Sequence, residues 1–126
     1  MALINLENKK VLVVEDDEMN FIYLNQIFKL TRATIVRAKT GYEAIQLCLH
    51  YLNFDLVLMD IQLPDIDGKE VTRTLRDKKF NMPIIAQTAA KSEHELEQVL
   101  ESGCTDIIVK PFKMEELIQK IEHYFL

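Results

Sequence analysis

The sequence predicts an α/β domain, an open and doubly wound sheet of five parallel strands with helices on both faces. Three observations predict it. Short apolar runs alternate with amphipathic helical segments five times along the chain. Several of the runs are continuously apolar rather than alternating, as strands covered on both faces require. The connections are too short to hold another domain, and right-handed crossovers then place helices on both sides of one sheet.

The elements follow in order. Val11-Leu12-Val13-Val14 is the first strand, and Phe21, Leu24, Ile27 and Phe28 keep helical spacing on the first helix. Ile22 and Tyr23 lie on the flanks of that helix and are expected to be partly packed. Thr34-Ile35-Val36 is the second strand. Thr40-Gly41-Tyr42-Glu43 then fits a capping box, in which two side chains satisfy two orphan backbone N–H groups. Leu56-Val57-Leu58-Met59 is the third strand, and Asp65-Ile66-Asp67-Gly68 is a polar turn into the third helix. Pro83 ahead of Ile84-Ile85-Ala86 favours a strand entry there over a helix start. A second capping box, Ser92-Glu93-His94-Glu95, opens the fourth helix, and Gly103 reads as the left-handed residue that ends it. Ile107-Ile108-Val109 is the fifth strand, and Met114, Leu117, Ile118 and Ile121 line one face of the last helix. Residues 1–8 read as a tail or linker remnant and 9–126 as the domain.

Composition narrows the function. At 126 residues the chain is the size of one domain, and 48% hydrophobic with 28% charged residues suits a packed core rather than disorder. A net charge of −5 argues against nucleic acid as a partner, as do the eight acids against four lysines in residues 91–126. No stretch approaches the roughly 18–20 apolar residues of a membrane span, so no membrane insertion is expected. Cys48 and Cys104 have no metal-ligand spacing and read as buried free thiols. With no signal-peptide pattern, a cytoplasmic location is the expectation. His50, His94 and His123 also lack metal-ligand spacing.

In an open α/β sheet, ligands bind beyond the carboxyl ends of the strands. Those ends carry Glu15-Asp16-Asp17, Asp60, Gln87-Thr88 and Lys110-Pro111, while the second strand ends in the unreactive Arg37-Ala38. Three carboxylates at adjacent strand ends repel one another, and a hard divalent cation resolves that repulsion. Lys110 adds a positive point charge and Thr88 a hydroxyl donor. Such a set can neutralise and orient a phosphoryl group, and Asp60, the central carboxylate, belongs to a phosphoryl-accepting nucleophile type. Asp65-Ile66-Asp67-Gly68 is not a calcium loop, because the EF-hand pattern needs acids where the chain has Leu63 and Thr74.

The segments Val13-Val14-Glu15-Asp16, Leu58-Met59-Asp60-Ile61-Gln62-Leu63-Pro64, Thr88-Ala89 and Lys110-Pro111 resemble the receiver domain of two-component response regulators. The resemblance covers residues 9–126. It implies a flavodoxin-like (βα)5 fold with strand order 2-1-3-4-5. It also implies phosphoryl transfer from a histidine kinase or histidine phosphotransfer protein onto Asp60. Glu15, Asp16, Asp60 and the backbone carbonyl of Gln62 would hold Mg²⁺, for which Mn²⁺ substitutes. Lys110, Thr88 and Ala89 would bind the phosphoryl group and carry the switch, aided by a cis peptide before Pro111. Gln62 and Ala90 occupy positions that tune phosphoryl lifetime. A glutamine there either orients attacking water or crowds it.

Two departures stand out. Glu15 replaces the commoner first aspartate and reaches one methylene further. Ile107 occupies the place of an aromatic that changes rotamer in many receivers, and an isoleucine cannot make that swing. The Val14–Asn20 and Pro83–Ala89 stretches look most like receivers of hybrid sensor histidine kinases, which leaves a stand-alone regulator and a fragment of a longer protein both open. Dimerisation through the fourth and fifth helices is a further expectation. Two rival readings are kept as alternatives, each with a sequence feature against it. An aspartyl-nucleophile phosphatase usually carries a second aspartate where this chain has Gln62. A binding-only pseudo-receiver usually loses the acceptor, an acidic-pair residue or the lysine, all of which are kept here.

Overall fold

A computed structural model of the chain describes residues 3–50 and 53–125. Ten elements alternate: β1 (Lys10–Val14), α1 (Glu18–Thr31), β2 (Thr34–Ala38), α2 (Gly41–His50), β3 (Leu56–Asp60), α3 (Gly68–Asp77), β4 (Ile84–Thr88), α4 (Glu93–Glu101), β5 (Asp106–Val109) and α5 (Met114–Phe125). All strand pairs are parallel and the sheet order is β2-β1-β3-β4-β5. This is the expected doubly wound, flavodoxin-like architecture.

Strand position explains the apolar runs. The inner strands β3 and β4 are buried throughout and β1 is buried from Val11 onward, whereas the edge strands β2 and β5 are only partly covered. Successive side chains alternate between two cores. Val11, Val13, Leu56, Leu58, Ile85 and Ile108 pack under α1 and α5, against Leu24, Phe28, Leu117 and Ile121. Leu12, Val14, Val57, Met59, Ile84 and Ala86 face α2, α3 and α4, against Ala44, Val71, Leu75 and Val99. Cys48 and Cys104 are buried free thiols in this second core, and burial pushes the Cys48 thiol up to about 11.

The segment before β1 packs on the domain, with Leu3 and Ile4 against the α1/α5 core and Lys9 O accepting from Thr34 N at 2.9 Å. Leu6 is buried in the α1/α5 core and its N–H donates to Thr31 O at 2.7 Å. Met1 and Ala2 of the expected tail lie outside the described residues.

The helix starts follow the sequence signals with two adjustments. Thr40 Oγ1 and Ser92 Oγ accept from Glu43 N and Glu95 N, both at 3.1 Å. The returning carboxylates reach the residue before each cap, Lys39 N at 3.5 Å and Lys91 N at 3.2 Å, so each box closes one residue early. Gly103 is left-handed with φ 105° just after α4. Asp65 adds a cap from outside its own helix. Its carboxylate accepts from Gly41 N at 2.8 Å and Tyr42 N at 2.9 Å, tying the β3–α3 loop to the start of α2. The two α1 flank residues expected to be partly packed are both exposed, Ile22 the more so. Tyr23 lies against Phe112 and donates from its hydroxyl to Phe112 O at 3.0 Å.

Candidate functional site

Strand parity builds the site. Glu15, just beyond β1, continues the row of Val11 and Val13, and Asp60 continues the row of Leu56 and Leu58. Both carboxylates therefore end on the α1/α5 side of the sheet, at the carboxyl ends of adjacent strands. Ligand atoms of Glu15, Asp16 and Asp60 all lie within 4.8 Å of one another. Glu15 and Asp60 are buried, at 0% and 3% exposure, and Asp16 is exposed. They line an open cleft of about 510 Å³ together with Asp17, Asn20, Gln62, Leu63, Pro64 and Lys110.

The run of four acids is resolved by the loop geometry. Asp17 is committed to capping α1, accepting from Asn20 N at 2.8 Å. Glu18 pairs with Arg37 Nη1 at 2.8 Å. Only Glu15 and Asp16 of the four join Asp60, as the strand end at Val14 suggested.

Crowding buried carboxylates is costly without a counter-charge. Desolvation raises Glu15 to about 7, helped by its hydrogen-bonding and charge interaction with Asp60, while Lys110 and Asn20 pull it back. The donor set, three hard carboxylate oxygens in a cleft open to water, suits a small hard cation such as Mg²⁺.

Lys110 reaches the centre of the site. Its Nζ lies 3.1 Å from Asp60 Oδ1, and the same oxygen accepts from Gln62 N at 3.1 Å. The Lys110–Pro111 peptide is cis, as expected from the resemblance. Lys110 N donates to Thr88 O at 2.8 Å, which holds the β5 end against β4.

Thr88 is placed next door rather than in the acidic cleft. It follows Gln87 and so belongs to the opposite face of the sheet. With Ala89, Ala90, Lys69 and Glu95 it lines a neighbouring hollow of about 570 Å³, which shares Gln62 and Leu63 with the acidic cleft. Its Oγ1 accepts from Ala90 N at 3.0 Å. Ile107 is partly buried against the α2/α3/α4 core.

Four residues to which the sequence reading gave no role in the chemistry shape the site. Asn20 Nδ2 and Gln87 Nε2 both donate to Glu15 Oε1, the latter at 3.0 Å. Arg37, taken as unreactive, donates from Nε to Glu15 O at 3.0 Å and from Nη2 to Asp16 O at 3.4 Å. Its guanidinium also lies 4.3 Å from the centre of the Phe21 ring, so one side chain clamps the acidic loop to β2. Gly68 opens α3 directly against the backbone of Asp60, where a Cβ would lie 2.2 Å from Asp60 O. An amide at a strand end was the one legible signal, for Gln87, whereas Arg37 acts on residues 21 and 22 positions away.

Comparison with known proteins agrees with this arrangement. The family model described as the response regulator receiver domain matches residues 11–122. The polar-differentiation response regulator DivK of Brucella ovis is 35% identical over 118 residues, covering 92% of this chain and 95% of that protein. A Francisella response regulator receiver domain superposes with TM-score 0.86 at 30% identity, covering 94% of this chain and 97% of the other. The receiver domain of a sensor histidine kinase from Pseudomonas aeruginosa PAO1, whose structure carries a magnesium ion coordinated in the active-site cleft, superposes with TM-score 0.85 at 29% identity, covering 92% and 96%. A match that runs nearly the whole length, over a fold that gathers its carboxylates beyond adjacent strand ends, settles the family: the chain belongs to the response regulator receiver domains, the phosphorelay modules of two-component signal transduction.

Proposed function

We propose that Asp60 is the residue that accepts the phosphoryl group, from a phosphohistidine on a sensor kinase or histidine phosphotransfer protein. The observation that carries this reading is the convergence of Glu15, Asp16 and Asp60 within 4.8 Å, with Lys110 Nζ 3.1 Å from Asp60 Oδ1. Glu15, Asp16, Asp60 and the Gln62 carbonyl hold Mg²⁺, with Mn²⁺ as a substitute. When bound, the ion neutralises charge on the transferring phosphoryl oxygens and on the three carboxylates.

The chain's own residues do the rest. Lys110 and the Gln62 N–H both engage Oδ1, which holds the carboxylate in place for one of its oxygens to form the new O–P bond. The N–P bond of the phosphohistidine breaks as it forms, and the imidazole of the donor leaves. Lys110 then turns its charge from Asp60 Oδ1 to the attached phosphoryl group. Thr88 and Ala89, one strand end away, contribute a hydroxyl and a backbone N–H from the rim of the neighbouring hollow. Thr88 donates its hydroxyl hydrogen to the phosphoryl group while Oγ1 is tied to the Ala90 N–H, so its movement couples phosphorylation to the β4–α4 loop. Ile107 gives way by packing rather than by an aromatic swing. Gln62, shared by the cleft and the neighbouring hollow, and Ala90 in that hollow set the lifetime of the product.

The wider reading follows from the same surface. The domain 9–126 works in the cytoplasm beside its kinase. Self-association through α4 and α5 is supported by the exposure of Leu100 on α4 and Val109 on the adjoining β5.

The test is intact-protein mass after incubation with a small acyl phosphate, with and without Mg²⁺, for the wild type and Asp60→Asn. One added phosphoryl group that requires both Mg²⁺ and Asp60 is expected. An adduct that persists in Asp60→Asn, or that forms equally without divalent ion, refutes the assignment.

A further inference from the structure

Gln87 is fully buried and stands opposite Asp60 in the β3–β4 register. Its amide is committed on both ends. Nε2 donates to Glu15 Oε1 at 3.0 Å, and Oε1 accepts from Asn20 Nδ2 at 3.3 Å. Asn20 Nδ2 also donates to the same Glu15 oxygen, which closes a ring of three side chains from β4, α1 and the end of β1. The other Glu15 oxygen accepts from Asp17 N at 3.2 Å.

The ring answers a need particular to a glutamate at this position. Glutamate has one more rotatable bond than aspartate, so it reaches further and has more freedom to lose when fixed. A buried amide is costly unless both its ends are bonded, and here both bonds serve to hold one carboxylate. Outer partners of this kind orient a metal-facing ligand without touching the ion.

The geometry points to Gln87 as a positioning residue that acts through Glu15 to set the affinity of the acidic cleft for a divalent cation. The inference rests on the reading of Glu15, Asp16 and Asp60 as the Mg²⁺ site. It makes a specific demand: Gln87 matters because position 15 is a glutamate, and an aspartate there is too short to meet it.

The experiment is calorimetric titration of MgCl₂ into metal-stripped protein, with urea denaturation of each variant alongside. The variants are Gln87→Met, Glu15→Asp, the double variant of the two, and Glu15→Ala. Methionine fills the volume of the amide, and Asn20 keeps Glu15 as its partner, so no buried donor is orphaned. Where Gln87→Met does not fold, Gln87→Leu carries the same comparison. Gln87→Met is expected to raise the Kd for Mg²⁺ about tenfold. In the Glu15→Asp background the same change is expected to move it no more than about twofold, the signature of coupling between the two positions. A purely structural Gln87 would lower the urea midpoint in both backgrounds and leave the Kd in place. A Kd unchanged by Gln87→Met, or raised equally in both backgrounds, overturns the inference. Unchanged affinity in Glu15→Ala overturns the site reading itself, and the inference with it. Weakened binding in Glu15→Ala with no effect of Gln87→Met overturns the inference alone.

Discussion

Gly68→Ala puts the tightest of the three glycine positions to the test. Alanine is the better helix former by roughly 1 kcal/mol, so propensity alone predicts stabilisation at the first residue of α3. The structure predicts the opposite. A Cβ at position 68 would sit 2.2 Å from Asp60 O and 2.8 Å from Ile61 Cα, where real Cβ atoms stay beyond 3.0 Å. At least 0.8 Å of movement is therefore needed, and both obstructing atoms are backbone. Moving α3 away strains the bond from Gly68 N to Ile61 O, now 2.8 Å. Overpacking costs about 1–3 kcal/mol and a lost hydrogen bond about 1 kcal/mol. The net expectation is a loss of about 2 kcal/mol, read as a urea midpoint lower by about 1 M with the slope unchanged. Gly41→Ala is the internal comparison. Its Cβ meets Val71 Cγ2 at 2.6 Å, a side-chain atom that can turn aside, so its loss should be smaller. A Gly68→Ala protein as stable as the wild type would refute the reasoning.

The other predictions concern charge and capping. Glu15 is raised from 4.5 to about 7 in the metal-free fold, so between those values the folded chain holds a proton that the unfolded chain has released. Its contribution is fully present below pH 4.5 and is lost as pH rises through 7, by up to about 3 kcal/mol at roughly 1.4 kcal/mol per pH unit. Urea midpoints across that range should fall without divalent ion and recover on adding Mg²⁺ at pH 8, and a flat profile in Glu15→Gln would assign the effect. Asp65→Ala removes the acceptor for Gly41 N and Tyr42 N and should destabilise the fold by about 1 kcal/mol. Arg37→Lys keeps the charge but loses the fork that holds Glu15 O and Asp16 O. Its Mg²⁺ affinity, by calorimetry, should fall close to that of Arg37→Ala; affinity equal to the wild type would show that charge alone suffices.

Much of this molecule is written locally. Continuous apolar runs marked the buried strands because β1, β3 and β4 are covered on both faces. Cap residues marked the starts of α2 and α4 because capping is decided within a few residues. The acidic trio and Lys110 were legible because each sits at a strand end, and strand ends in such a sheet share one edge. What stayed hidden was pairing over long separations. Asp65 capping α2, Arg37 clamping the β1–α1 loop, and Gln87 holding Glu15 join residues 21–72 positions apart. Arg37 looked idle in sequence because its contacts to the β1–α1 loop are with backbone carbonyls, which leave no mark on residue type. Thr88 shows the converse: its strand end was plain, but its lodging in the neighbouring hollow follows from strand parity beyond Gln87.

The most direct test of the central claim is to locate the phosphoryl group. After reaction with an acyl phosphate and Mg²⁺, borohydride reduces an aspartyl phosphate to homoserine, which peptide mass spectrometry places in the sequence. The arrangement of Glu15, Asp16, Asp60 and Lys110 predicts homoserine at position 60 alone. Homoserine at position 16 or 17 instead, or a phosphoryl group that borohydride does not reduce, would contradict the account.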